Sequence, residues 1–151
     1  MPDPLGFDDT TPRFGLPFLF AAQAQKESFV NEIAARCDIL LHCAIEAAAN
    51  LPPGNPSDGR CWLVTSGAAG AWAGKSDSIA AWIGGSWIFF APRAGLRVYD
   101  RALRQDRFFS DTWHVAATPT SPTGGTVIDS QARAAIAQIY GILATVGIIP
   151  A

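Results

Sequence analysis

The stretch Ala69-Gly70-Ala71-Trp72-Ala73-Gly74-Lys75-Ser76 comes nearest to a named chemistry, because it follows the pattern of a phosphate-binding loop with Ala in place of the first Gly. Such a loop works only between a strand and a helix, whose free N-terminal N–H groups hold the phosphates. Here Asp77-Ser78 lead instead into Ile79-Ala80-Ala81-Trp82-Ile83, a strand pattern, so Lys75 reads as a solvated turn residue and no nucleotide site is expected. General acid–base chemistry needs two carboxylates brought together, or a His held by one. Glu27, Glu32 and Glu46 fall on a helix and the first strand, and Asp100, Asp106 and Asp111 on turns. Neither His42 nor His114 has a partner that spacing foretells. A Gly-x-Ser-x-Gly nucleophile motif is absent. Cys37, Cys43 and Cys61 are odd in number and lack the spacing of zinc ligands, so all three read as small buried hydrophobes. We therefore expect no catalytic residue, no cofactor and no metal.

Aromatic residues offer a different chemistry. Five Trp stand in 151 residues, and a flat indole face with an N–H handle suits the apolar face of a sugar ring. Trp62 and Trp82 sit inside strand patterns and are expected in the core. Trp72, in a Gly/Ala loop, and Trp87, directly after a tight turn, are the candidates for glycan contact.

Composition narrows the partners. Net charge is −2, with eleven basic and thirteen acidic residues mixed along the chain, so neither nucleic acid nor an anionic membrane surface is an expected partner. Arg93, Arg97, Arg101, Arg104 and Arg107 cluster, but Asp100, Asp106 and Asp111 interleave with them, which predicts a solvated edge rather than a polyanion-binding strip. Charged residues make up only 16% against 49% apolar, an excess that predicts a surface meeting other protein. Met1-Pro2-Asp3-Pro4 lacks the basic start of a signal peptide, and no apolar stretch approaches the ~20 residues that a bilayer requires. Neither export by a signal peptide nor insertion in a membrane is expected.

The elements that must position these residues form an α+β chain. Residues 1–15, rich in Pro, Asp and Thr, read as an extended arm that docks on a neighbour or frays. In residues 16–115 a helix from Gln23 to about Asp38 comes first, with Phe29, Val30, Ile33, Ala34 and Cys37 at helical spacing on its buried face. Leu41–Glu46 alternates as a strand with Leu41, Cys43 and Ile45 on one side. Strands then follow at Cys61–Val64, at Ile79–Ile83 paired with Ser86–Phe90 across Gly84-Gly85, and at Leu96–Tyr99, Arg107–Phe109 and Trp113–Val115. The phrases Ala-Trp-Ile-Gly-Gly-Ser-Trp and Phe-Phe-Ser-Asp-Thr-Trp repeat a strand, turn, Trp pattern. A small, mostly antiparallel sheet of meander or sandwich type is predicted. Residues 116–128 are a Pro/Thr/Gly linker, and 129–147 a helix capped by Asp129 and stopped by Gly147. Along that helix Ala132, Ile136, Ile139, Leu143 and Val146 step as a heptad seam, with Ile142 widening the stripe. These six residues are the candidates for oligomerisation, the other possibility being that the helix packs on its own sheet.

Gln23-Ala24-Gln25-Lys26-Glu27, followed by Asn31-Glu32, is too particular for a generic helix. With Pro56-Ser57-Asp58-Gly59, Gly70-Ala71-Trp72-Ala73-Gly74, Ala81-Trp82 and Trp87-Ile88-Phe89-Phe90-Ala91-Pro92-Arg93 it resembles a domain family of unknown function found in alphaproteobacterial prophages and gene transfer agents. The tail, Gly-Gly-Thr-x-Ile-Asp onward, is similar to helices that end phage spike and fibre proteins. The resemblance implies a head-spike component on the capsid vertices of a phage-like particle, made in the bacterial cytoplasm, and the base rather than the tip. Its implied partners are its own copies, as a homopentamer on a fivefold vertex or a trimer, a capsid vertex protein, a spike fibre protein and cell-surface polysaccharide. No catalytic residue comes with it. Two other readings stay open: a carbohydrate-binding adhesin using Trp72 or Trp87, and a glycan-degrading enzyme. Asn31, among apolar neighbours, reads either as one of the polar residues that any surface helix carries or as a cap or hydrogen-bond partner for the adjacent loop.

Overall fold

The computed structural model describes residues 10–19 and 27–150. The chain is α+β, with helix α1 (Glu27–Leu40), strands β1 (Ala44–Ile45), β2 (Ala48–Ala49), β3 (Cys61–Val64), β4 (Ile79–Ile83), β5 (Ser86–Phe90), β6 (Arg97–Asp100), β7 (Gln105–Phe109) and β8 (Trp113–Val115), and helix α2 (Ser130–Thr145). Residues 1–9 of the expected arm, and Gln23, Gln25 and Lys26 at the expected helix start, lie outside the described residues.

The strands make two four-stranded sheets, in the orders β2-β3-β4-β5 and β1-β6-β7-β8. Both follow one plan. A two-residue strand runs parallel to the first strand of a three-stranded antiparallel meander. Because β1 and β2 are nearly adjacent in sequence, one extended segment supplies an edge to both sheets. Tyr99 and Arg101 donate their N–H groups to Cys43 and Ile45, while Leu63 and Thr65 donate theirs to Ala47 and Ala49. The repeated strand, turn, Trp phrases are the outer hairpins of these two meanders. Trp82 pairs with Trp87 across β4 and β5, and Phe109 with Trp113 across β7 and β8. The ring pairs match closely, at 5.0 Å and 65° in the first and 5.2 Å and 62° in the second.

The Gly84-Gly85 hairpin forms in the expected register, both glycines taking the positive φ, 56° and 79°, that a two-residue turn between twisted strands requires. Alternation then sorts β3, β4 and β5. Cys61, Leu63, Ile79, Ala81 and Phe90 point into a core shared with Ile39, Cys43, Ile45 and Val98, so it joins α1 and both sheets. Trp62, Val64, Ala80, Trp87 and Phe89 point the other way, where Trp72 covers them.

Three expectations change. The predicted strand Leu41–Glu46 shortens to two residues, because His42 adopts φ 47° and ends α1 in the left-handed conformation usual after a helix. Leu41 is consequently exposed, although Cys43 and Ile45 are buried as expected. On α1 the buried side chains are Ala35, Asp38 and Ile39, whereas Val30, Ile33 and Cys37 are exposed; the side-chain environment of Phe29 lies outside the described residues. The turn of the helix follows from Asp38, whose carboxylate accepts from the Thr11 hydroxyl at 2.7 Å and from the backbone N–H groups of Arg13 and Phe14 at 3.0 and 2.6 Å. Three charge-assisted bonds offset the burial of one carboxylate. Arg13 completes the clasp, its guanidinium donating to the carbonyls of Asp38, Ile39 and His42 at the end of α1. The described part of the arm thus docks on its own helix. Of the readings open for Asn31, the structure takes the loop contact: its side chain accepts from Leu19 N–H at 2.8 Å and donates to the Leu19 carbonyl at 3.1 Å.

Helix α2 begins as predicted, with the Asp129 carboxylate accepting from Ala132 N–H at 2.9 Å. It ends in a Schellman motif: Ile148 donates to Leu143 and Gly147 to Ala144, with Gly147 at φ 73°. The chain then returns to the sheet, since Asp106 N–H donates to the Gly147 carbonyl at 2.7 Å and Ile149 is buried. The helix is therefore anchored at its C-terminal end, and the linker does not set it wholly apart.

Candidate functional site

The expected aromatic platform is rearranged. Trp72 is fully buried, so it presents no indole face to a ligand. The physical reason lies in the loop after β3. A short 3-10 turn at Gly70–Trp72 folds back over the outward face of β3 and β5, and Trp72 packs on Trp62 at 6.4 Å and edge-on against Trp87 at 5.1 Å and 83°. Its indole N–H has no hydrogen-bond partner. Trp62, Trp82 and Trp87 are half-buried, and Trp87 packs against the indoles of Trp62, Trp72 and Trp82. Trp87 thus keeps part of its surface, whereas Trp62 and Trp82 are less enclosed than their strand positions suggest. Trp62 and Trp82 were expected in the core, but alternation along β3 and β4 puts them on the face away from the main core, and the loop carrying Trp72 covers that face only in part.

Lys75 sits 5.4 Å from the Phe89 ring centroid, and the segment after it is β4. The phosphate-loop pattern has no helix to follow it.

Spacing missed one trio. The Ser110 hydroxyl donates to Asp111 Oδ1 at 2.6 Å and lies 2.9 Å from His114 Nε2, while Asp111 Oδ1 is 3.6 Å from that same nitrogen. The Ser110 hydroxyl, then the backbone N–H of Asp111 itself, His114 and the Thr112 N–H, hold the Asp111 carboxyl below its usual range. A nucleophilic triad needs the carboxylate and the hydroxyl on opposite ring nitrogens. Here both meet one nitrogen in open solvent, so the trio is a turn motif. Asp100, expected on a turn, is buried; it accepts from Arg107 at 2.7 Å and from Leu103 N–H at 3.0 Å, which pins the β6–β7 turn.

Cys43 and Cys61 are buried together, as expected, whereas Cys37 is exposed because its face of α1 is turned outward. A hydrogen bond with Cys43 and burial push the Cys61 thiol well above its usual range. No group of three His, Cys, Asp or Glu side chains able to hold a metal occurs among the described residues. None of their helices is long and apolar enough to cross a membrane.

The tail helix exposes apolar side chains. Its six candidate residues divide: Ile136 and Leu143 are half-buried, whereas Ala132, Ile139, Ile142 and Val146 are exposed, and no residue of the helix is fully buried. Ile139, Ile142 and Val146 are 53%, 62% and 59% exposed. Ile33 and Leu40 on α1, with Leu41 just past its end, line an open apolar concavity of about 380 Å³.

A family model described as "Protein of unknown function (DUF2793)" matches residues 30–115, more than half of the chain. No curated protein matches.

Proposed function

The chain belongs to the DUF2793 family, and from that premise we propose that it is a structural virion protein: a component, and by preference the base, of a head spike on a phage-like particle or gene transfer agent. In that role it joins a capsid vertex protein to a fibre that engages the recipient cell. The observation that carries the reading is α2, sixteen residues long, capped at both ends and without one fully buried side chain. An apolar stripe left in water gains by being shared between copies. A fivefold vertex favours a homopentamer, and the heptad spacing also serves a trimer.

Light scattering at several concentrations tests this. A discrete oligomer is expected, and Ile139→Asp with Ile142→Asp should convert it to monomer while leaving the far-UV spectrum of the β-sheets unchanged. A wild-type monomer, or a variant that stays oligomeric, removes α2 from the assembly.

A second reading rests on the half-buried Trp82–Trp87 pair: the chain contacts cell-surface polysaccharide directly. Trp fluorescence should then shift on adding recipient capsule, and the shift should disappear in Trp87→Ala.

A further inference from the structure

Arg13, Ala44, Glu46, Gly59, Arg60 and Arg101 line a concavity of about 220 Å³. Its three guanidiniums come from distant parts of the sequence: the arm before α1, the residue leading into β3 and the residue after β6. Glu46 stands in the crossover between β1 and β2, where one segment edges both sheets. Its Oε1 accepts from Arg60 Nη1 at 2.8 Å and from Arg101 Nη1 at 3.2 Å. Both arginines are about half exposed. An arginine carries five N–H donors in a rigid fork, and among the described residues Arg60 and Arg101 make one side-chain hydrogen bond each. Among the described residues, the hydrogen bonds of the Arg13 guanidinium all go to neutral carbonyls, and it lies 5.3 Å from the Phe14 ring centroid.

Two nearby carboxylates are already committed, and Asp58, exposed just before Gly59, is not part of the lining. Asp38 serves Thr11 and the N–H groups of Arg13 and Phe14, and Asp100 serves Arg107 and Leu103. Three cations therefore share one lining carboxylate. We propose that this concavity is an oxyanion-binding site for the carboxylate of an acidic saccharide. Arg forks match a planar carboxylate, and Glu46 supplies an acceptor for ring hydroxyls beside them. Ala44 is the only apolar side chain in the lining, so a peptide would find little to bury its own side chains against. The volume falls below the ~300–1,000 Å³ of drug-sized sites, which suits one charged unit of a polymer.

This extends the polysaccharide reading above, and the two fail separately, because binding through Trp87 does not use the arginines. The test is calorimetric titration of the whole chain with trigalacturonate, with neutral galactotriose, triglutamate and inorganic phosphate as comparisons. Trigalacturonate should bind more tightly than all three, more weakly as salt rises, and several-fold less well to Arg60→Gln/Arg101→Gln. Glu46→Gln should bind several-fold more tightly, since it removes the internal competitor for the two forks; a merely structural ion pair would not produce a gain. Should the double variant unfold, the single variant Arg101→Gln is expected to show a partial loss. The proposal is overturned if trigalacturonate binds no better than galactotriose, if phosphate or triglutamate binds as well as it does, or if Glu46→Gln weakens binding.

Discussion

At the scale of the residue, burial is compensated by partners rather than by polarity. Asp38 is fully enclosed yet satisfied by three donors, and through them it joins the arm to α1. Trp72 is enclosed by other indoles, each favourable ring pair contributing ~0.5–1.5 kcal/mol beyond burial. Trp72→Ala should therefore cost about 3–5 kcal/mol, the range for a large aromatic removed from a core, read as a lower urea midpoint; a loss under ~1 kcal/mol would mean the loop is not seated on the sheet. The thiols divide in the same way. With Cys37 exposed and Cys43 and Cys61 buried, a thiol reagent near neutral pH should label one cysteine quickly in the folded protein and three after denaturation. Rapid labelling of two or three in the native state would contradict the burial of the pair.

Elements follow from turn and cap chemistry more than from apolar spacing. Both glycines of the β4–β5 turn, Asp129 at the start of α2 and Gly147 at its end take the conformations their residue types favour. Apolar spacing on α1 marked a stripe that the fold leaves in water, because the Asp38 clasp turns another face inward. Gly147 shows how closely an end can be specified. It holds φ 73°, and a Cβ there would meet the Tyr99 ring at 3.4 Å. Gly147→Ala should destabilise the return of the chain by ~1–2 kcal/mol, the cost of a left-handed residue with a side chain, seen as faster amide exchange at Asp106, whose N–H bonds the Gly147 carbonyl. Unchanged exchange would show that this anchor is not held through Gly147.

For the whole molecule, two copies of one plan share an edge segment, and this explains how short strands stabilise one another. Neither parallel strand exceeds two residues, and each is held because the other fixes the same stretch of backbone. The ends of that arrangement carry the exposed chemistry: an aromatic hairpin on one meander, a charged concavity at the crossover, and two apolar helix faces. If α2 brings copies together, the apolar excess of the composition is hidden in the assembly. The unfolding temperature should then rise with protein concentration, since association stabilises the folded state by mass action. A concentration-independent midpoint would indicate a monomer.

The sequence by itself determined what depends on local geometry. Turn dipeptides, helix caps and strand periodicity are written in neighbouring residues, because backbone conformation and short-range hydrogen bonding select them. Only the tertiary structure decided which faces meet. Burial of Trp72 and exposure of Cys37 and Ile33 were decided there, and the meeting of Arg13, Arg60 and Arg101 around Glu46 joins residues 14 to 88 positions apart. Such contacts depend on how a loop, an arm and a crossover fold back, and no period in the sequence encodes that.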